Sequence, residues 1–227
     1  MMDIERLLRE IELEARRAEF PIDREVYERW GKDPLVPIPF AGDPAARVCS
    51  FGRDPGRDEV RFGQPQIGAA GRLVREGVLA AAGETAPPGD ARLEAALRHV
   101  FLSNTVPYKP PGNKAYPDSV KERFRPFVAR LLTSHWQGDA VITLGTEAFQ
   151  WFAPYAEKGA AAVFWKREDK YEAELPCVLG ADLDGEVVER AVTVCPLPHP
   201  SPLNQRWVGL FPGLLRQRLD KWLKPAA

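Results

Sequence analysis

The chain has 227 residues, of which 44% are hydrophobic and 28% charged, and this composition predicts a globular protein with a single domain spanning residues 1–227. No stretch approaches the 18 apolar residues that a membrane span needs, and the charged start Met1–Arg6 is unlike a secretion signal, so we expect a cytoplasmic protein without a membrane partner. Three scattered cysteines and three histidines without helical spacing argue against a disulfide framework and against a metal site, so we expect neither metal nor cofactor.

Hydrophobic periodicity and chain breakers predict alternating strands and helices. The first half contains a helix over residues 2–19, a strand at Arg47–Phe51, a glycine-rich loop at Gly52–Gly71, a helix at Arg72–Ala82, a helix opened by Asp90 and a strand at Val100–Leu102. The second half contains a helix at Asp118–Leu132 kinked at Pro126, a strand at Ala140–Leu144, a helix at Glu147–Phe152, strands at Ala160–Trp165, Pro176–Gly180 and Val187–Val194, a hairpin turn at Asp182–Gly185 and a helix from Trp207.

The recurring order of strand, loop and helix predicts an α/β fold, a three-layer sandwich with a mainly parallel central β-sheet flanked by helices. Three predicted strands end in polar loops that carry Asp54, Asn104 and His199. Ligands of such sheets bind at the carboxyl ends of the strands, so we expect these three side chains to converge.

The net charge of −1 conceals an uneven distribution. Residues 104–136 contain six basic and two acidic side chains, and residues 199–224 contain five basic and one acidic side chain. If the fold joins these segments, they form one basic face suited to a phosphate backbone. The alternative is that the charges only solvate helix faces.

Each polar strand end also has a structural interpretation. Asp54 lies in the tight turn Gly52–Gly56, and its spacing alone favours an ordinary acidic turn residue. Asn104 can present its amide to a planar base or simply cap a loop. His199 stands between two prolines that restrict its backbone, which suits either an aimed catalytic donor or a structural histidine, while Leu203 lies beyond it as an apolar wedge in a polar loop.

Taken in order, these segments resemble the motifs of the uracil-DNA glycosylase superfamily. The resemblance runs from about residue 47 to 219 and is carried by Gly52–Gly56, Gly63–Pro65 with Gly68 and Gly71, Ser103–Val106, Lys109–Lys114, Val141–Gly145 and His199–Leu203. The middle segments are most similar to the bacterial and archaeal iron-sulfur branch, whereas Asp54 and the segment at His199 are more similar to the uracil-specific branch.

The resemblance implies a role for each matched residue. Asp54 and His199 would be catalytic, the former stabilising a cationic sugar and positioning water, the latter donating a hydrogen bond to the leaving base. Asn104 would recognise an extruded base, and Leu203 would fill the vacated stack. Further contacts to the substrate or its flanking phosphates would come from Gly52, Arg53, Pro55, Gly56, Ser201, Pro202, Lys109, Lys114 and Arg206.

Three departures from the family pattern qualify this picture. Tyr108 stands where the iron-sulfur branch has a cysteine, so no cluster is expected. Gly56 replaces a tyrosine that blocks 5-substituted pyrimidines in the uracil-specific branch. Gln66 replaces a stacking aromatic, so it would offer an amide instead. Either Phe62 or Phe51 would then have to stack on the base, or stacking is weak.

The function predicted on this basis is a monomeric DNA glycosylase that removes uracil or a related deaminated base from DNA. One alternative is a protein on the same scaffold that binds damaged or single-stranded DNA with little turnover. Another is an enzyme acting on free nucleosides or nucleotides, for which a wedge and basic segments would serve no purpose.

Overall fold

The computed structural model describes residues 3–17, 19–201 and 204–223, and a β-sheet of six strands lies at the centre of this part of the chain. The strands are β1 (Phe40–Gly42), β2 (Val48–Gly52), β3 (Phe101–Asn104), β4 (Ala140–Leu144), β5 (Leu175–Leu183) and β6 (Glu186–Leu197). The helices are α1 (Ile4–Arg17), α2 (Arg24–Arg29), α3 (Arg57–Phe62), α4 (Ala69–Ala82), α5 (Asp118–Arg130), α6 (Thr146–Gln150), α7 (Ala160–Trp165), α8 (Gln205–Val208) and α9 (Phe211–Trp222).

The strand order is β1-β3-β2-β4-β6-β5. The two outer strands, β1 and β5, are antiparallel to their neighbours. Strands β3, β2, β4 and β6 run parallel, and Gly52 at the end of β2 is level with Asn104 at the end of β3. Every residue of β2 and β4 is buried, as expected for strands covered on both faces. The carboxyl ends of the four parallel strands therefore lie along one edge of the sheet.

Helices cover both faces of the sheet, which confirms the predicted three-layer α/β class. One core cluster joins Leu7 of α1 and Phe124 of α5 to one face. A second cluster joins Val78 of α4 and Leu215 of α9 to the other face. Among the described residues, no helix is both long enough and apolar enough to cross a membrane.

Ion pairs fasten α1 to the rest of the molecule. Arg130 on α5 donates to Glu10 at 2.5 Å, and Arg123 donates to Glu14 at 2.7 Å. The carboxylates and guanidinium groups of these pairs are mostly shielded from solvent, which strengthens them relative to pairs on an open surface. Helix α1 is thus held by charge as well as by its apolar stripe.

Two sequence predictions about local structure have opposite outcomes. The turn at Asp182–Gly185 is confirmed, since Asp184 and Gly185 have φ angles of 56° and 90° between the antiparallel β5 and β6. The strand predicted at Ala160–Trp165 is wrong, because this segment is helix α7. Ala161 and Phe164 are buried while Val163 is 71% exposed, a three-residue period that a short apolar run conceals. Pro126, where the sequence predicts a kink, lies inside helix α5, which continues on both sides of it.

The condition for a single basic face, that the fold joins residues 104–136 and 199–224, is not met by helices α5 and α9. Helices α5 and α9, which carry most of those cations, pack on opposite faces of the sheet. Most of the cations also have acidic partners, and the pairs are Lys109 with Asp23, Lys121 with Glu147, Arg123 with Glu14, Arg125 with Glu122, Arg130 with Glu10, Arg216 with Asp220, and Arg218 and Lys221 with Glu174.

Candidate active site

A cavity of about 480 Å³ opens at the edge where the parallel strands end. Asp54 follows β2, Asn104 ends β3, Leu144 ends β4, and His199 follows β6, and all four line this cavity. Topology alone brings them together, because parallel strands place their carboxyl ends on one side. The cavity volume lies in the range typical of small-molecule sites.

Asp54 is the buried carboxylate of the cavity. Its side chain is only 4% exposed, and both of its oxygens accept hydrogen bonds from Nε of Arg53, at 2.9 and 3.0 Å. Burial raises the pKa of Asp54 to about 6, although the charge and hydrogen bonds of Arg53 oppose this rise. At neutral pH the carboxylate is therefore mainly ionised but poorly solvated, which suits it to stabilise positive charge.

Asn104 supplies the amide of the cavity. The residue is 3% exposed, and its Nδ2 is buried with no hydrogen-bond partner among the described residues. A buried amide rarely remains unpaired, so this donor is available to a ligand. Gly52 makes room for the amide, since a Cβ at Gly52 would lie 2.4 Å from Oδ1 of Asn104.

His199 faces the cavity from the loop after β6. Its Cβ packs over Gly145, where φ is 88° and an added Cβ would lie 3.0 Å from that of His199. The surrounding protein and the charge of Arg53 lower the pKa of His199 below its ordinary value of 6.5. The imidazole is consequently neutral at pH 7 and retains one N–H to donate.

Glu59 organises two walls of the cavity and was not identified from the sequence. One carboxylate oxygen accepts a hydrogen bond from the backbone N–H of Gly56 at 3.0 Å. The other accepts from the N–H groups of Ile67 and Gly68 at 3.0 and 2.9 Å. The bond from Gly56 N–H to Glu59, three residues later at the start of α3, is one half of a capping box; glycine has no side chain to supply the other half, so the sequence lacked the usual signal.

Gln66 lies in the cavity wall, but its amide is already engaged. Its Nε2 donates to the carbonyl groups of Ser50 and Ser103 at 2.8 and 3.2 Å, and its Oε1 accepts from Oγ of Ser50 at 2.7 Å. The expectation that Gln66 offers a free amide to the base is therefore wrong. The side chain instead bridges β2 and β3, and the buried Arg75 holds the loop by donating to the Gln66 carbonyl at 2.9 Å.

Neither phenylalanine considered for base stacking lines the cavity. Phe62 lies at the end of α3 between the guanidinium groups of Arg61 and Arg92, at 4.8 and 5.2 Å from the ring centroid. Phe51 is fully buried and packs against Trp151 and Phe152 on one face of the sheet. Apart from the imidazole of His199, no aromatic ring occurs among the described residues of the cavity wall.

The residues predicted to contact DNA outside the cavity have different positions. Lys109 is 2% exposed and donates to Asp23 and to the Pro110 carbonyl, both at 2.8 Å, so its prediction as a phosphate contact is wrong. Lys114 and Arg206 are exposed. Ser201 lines the cavity, as do Gly52, Arg53, Pro55 and Gly56. Pro202 and Leu203 lie outside the described residues.

The chain does not fit an iron-sulfur cluster. The ring of Tyr108 packs at 5.4 Å from those of Phe20 and Phe124, and its hydroxyl donates to the Leu35 carbonyl at 2.9 Å. The three cysteines are buried on β2, β5 and β6, and no group of three or more metal-ligating side chains is found in the described part of the chain.

The chain is similar to known proteins of one superfamily. A family model described as the uracil DNA glycosylase superfamily matches residues 39–223. The chain is 30% identical over 115 residues to a type-4 uracil-DNA glycosylase of Archaeoglobus fulgidus, with 50% of each chain covered. It is 35% identical over 91 residues to a type-5 uracil-DNA glycosylase of Thermus thermophilus, covering 37% of this chain and 40% of the relative.

A third similarity covers more of both chains at lower identity. A type-4 uracil-DNA glycosylase of Sulfurisphaera tokodaii is 24% identical over 164 residues, which is 72% of this chain and 64% of the relative. The matched segments span between 40% and 64% of the lengths of these relatives. All of the cavity residues named above lie within the range matched by the family model.

Proposed function

This chain belongs to the uracil DNA glycosylase superfamily, and from that membership and the geometry of the cavity we propose that it is a monofunctional DNA glycosylase. It hydrolyses the N-glycosidic bond of uracil or a related deaminated base in DNA and thereby starts base excision repair, acting as a monomer. The observation that carries the proposal is the convergence of Asp54, Asn104 and His199 on one cavity, with a buried and unpaired amide among them.

Substrate binding begins with extrusion of the target nucleotide from the stack. The free Nδ2 of Asn104 donates to an acceptor on the edge of the base, and the amide oxygen can accept from a base N–H. Because the strand pairing of β2 and β3 fixes the Asn104 backbone against Gly52, the amide is oriented before the base arrives. Such orientation lowers the entropy lost on binding.

Bond cleavage places positive charge on the sugar and negative charge on the leaving base. The Asp54 carboxylate, ionised and largely shielded from water, stabilises the sugar cation and orients the water that attacks the anomeric carbon. His199 donates its N–H to the base oxygen on which negative charge accumulates. One carboxylate suffices, since the base departs as an anion stabilised by this hydrogen bond. The water gives its hydroxyl group to the sugar and its remaining proton to Asp54, from which the proton passes to solvent.

Base specificity depends on which side chains are absent from the described wall of the cavity. Gly56 lines the cavity without a side chain, and no phenylalanine, tyrosine or tryptophan ring contacts the space. We therefore expect acceptance of at least one base beyond uracil, with discrimination of only about 10- to 200-fold for a single methyl group. Introducing tyrosine at Gly56 is a poor test, because a Cβ there would lie 2.6 Å from Oε2 of Glu59 and displace its carboxylate.

The experiment is single-turnover excision from oligonucleotides that each contain one modified base, including uracil, 5-substituted uracils, hypoxanthine, xanthine and mismatched thymine, in single-stranded and duplex form. Asp54→Asn and His199→Asn should each lower the excision rate by about 10²- to 10⁴-fold while DNA binding is retained. Asp139→Asn is the matched control, because Asp139 is an exposed carboxylate before β4 at the opposite edge of the sheet.

Three results would contradict the proposal. DNA binding without excision by the wild-type protein would favour the binding-protein alternative. Release of base from free deoxyuridine but not from oligonucleotides would favour a nucleoside-processing enzyme. Unchanged excision in either variant would remove that residue from the mechanism.

A further inference from the structure

The guanidinium of Arg53 connects the Asp54 carboxylate to a second loop of the cavity. Its Nε donates to both oxygens of Asp54 at 2.9 and 3.0 Å, while Nη2 donates to the Asn113 carbonyl at 2.8 Å. Asp54 and Asn113 both line the cavity, and they come from turns 59 positions apart in the chain. One side chain therefore fixes the direction of the carboxylate and the position of the opposite loop.

The backbone of Arg53 is itself immobilised. Its carbonyl oxygen accepts hydrogen bonds from the N–H of Thr105 at 3.0 Å and from Oγ1 of Thr105 at 2.5 Å. Thr105 directly follows Asn104 at the end of β3. Arg53 is thus tied to the strand that carries the base-recognising amide, and its side chain starts from a fixed point.

The charges that surround Asp54 distinguish Arg53 from the other cations. Lys109 and Lys121 also favour the ionised carboxylate, but their ammonium groups are paired with Asp23 and Glu147. The other titratable groups facing this region are His199 from the loop after β6, the buried Tyr116, and Arg57, Asp58 and Glu59 at the start of α3. Arg53 is the cation that contacts Asp54 directly.

We propose that Arg53 is a positioning residue for base excision, which aims both carboxylate oxygens of Asp54 and ties the turn of Asp54 to the loop of Asn113. This inference rests on the proposed function, because it assigns Arg53 to the same reaction. Arg53 acts through Asp54 and His199 rather than on the reacting atoms.

The physical consequence is a pH effect with a defined sign. The charge of Arg53 lowers the pKa of Asp54 and also lowers the pKa of His199. Removing the guanidinium should therefore raise the pKa of Asp54 above about 6 and let the pKa of His199 return towards 6.5. Both changes lower the fractions of ionised Asp54 and of neutral His199 at acidic and neutral pH. Near pH 9 both groups are in these forms with or without Arg53.

The test compares excision of uracil by the wild-type protein and by Arg53→Gln, Arg53→Met and Arg53→Lys between pH 5 and 9.5. In the two neutral variants the pH dependence of the excision rate should be shifted to higher pH by about 1 pH unit or more. Near pH 9 only the rate loss shared with Arg53→Lys should remain. Arg53→Lys should retain a nearly wild-type pH profile at a reduced rate, because lysine keeps the charge without the planar donor geometry. Arg72→Gln, which removes an exposed arginine of α4, is the matched control.

A second readout does not depend on activity. NMR titration of the ¹³C-labelled Asp54 carboxyl, assigned with Asp54→Asn, should show a higher pKa in Arg53→Gln or Arg53→Met than in the wild type. An unchanged Asp54 titration in the neutral variants, or a rate loss in Arg53→Gln and Arg53→Met that is uniform across the pH range, would overturn the role of Arg53. Absence of excision by the wild type would instead refute the proposed function, and the titration would then decide the effect of Arg53 on Asp54 by itself.

Discussion

The carboxylate of Glu59 offers the sharpest test of how the cavity walls are held together. Glutamine at this position has the same shape but only one acceptor oxygen, so Glu59→Gln preserves the bonds to Ile67 and Gly68 and sets an NH₂ group against the N–H of Gly56. Hydrogen bonds to a charged group contribute about 1.5–3 kcal/mol each. Losing one bond, and the charge assistance of two others, should lower the free energy of unfolding by at least about 2 kcal/mol.

Urea unfolding followed by the fluorescence of the six tryptophans measures this loss. Glu76→Gln is the matched control, because Glu76 forms an exposed pair with Arg72 that should contribute less than about 1 kcal/mol. The single-turnover excision rate of Glu59→Gln should also fall, since the turn of Asp54 and the Gln66 loop lose their shared anchor. An unfolding free energy no lower than that of Glu76→Gln would refute the structural argument.

Three other predictions concern the same region. Burial raises the pKa of Asp54 in the folded state from the ordinary 3.8 to about 6, so the ionised carboxylate destabilises the fold above pH 6. Asp54→Asn should therefore raise the unfolding free energy at pH 7.5 by up to ~3 kcal/mol. In urea titrations this difference should vanish as the pH falls through 6 towards 4. Gly52→Ala should lower uracil excision by at least about 10²-fold by displacing the Asn104 amide, since losing a hydrogen-bond partner leaves buried polar groups unpaired, and an unchanged rate would contradict the close approach. Lys109→Met should destabilise the fold by about 3–5 kcal/mol without altering the salt dependence of DNA binding, whereas Lys114→Ala should reduce the slope of log K against log salt by about 1 in binding titrations.

Those parts of the fold that follow from continuous apolar runs were predictable from the sequence. The strand predicted at Ala140–Leu144 has the same bounds in the structure, because all five of its residues are buried and the run is bounded by polar and glycine residues. Parallel order then places the three polar strand ends on one edge. The segment Ala160–Trp165 was not predictable in the same way, since six apolar residues fit a strand and a helix equally well.

The contacts within the site were less accessible, because they depend on residues distant in the chain. Nothing near Lys109 indicates that its ammonium group is buried against Asp23, a carboxylate 86 positions earlier. Gln66 likewise gave no signal that its amide would bridge two strands, since its partners are a side chain and two carbonyl groups supplied by those strands. Sequence identifies the type of chemical group, whereas the fold decides whether that group remains free.

The docking of α1 has a practical consequence for producing shortened forms of this protein. The family model begins at residue 39, which suggests a convenient place to start a trimmed gene. A chain started there would lack Leu7, Ile11 and Tyr27, each no more than 1% exposed, and would lay bare the apolar surface that they cover. We expect such a fragment to accumulate in inclusion bodies, so crystallisation trials and activity screens should retain the first 38 residues.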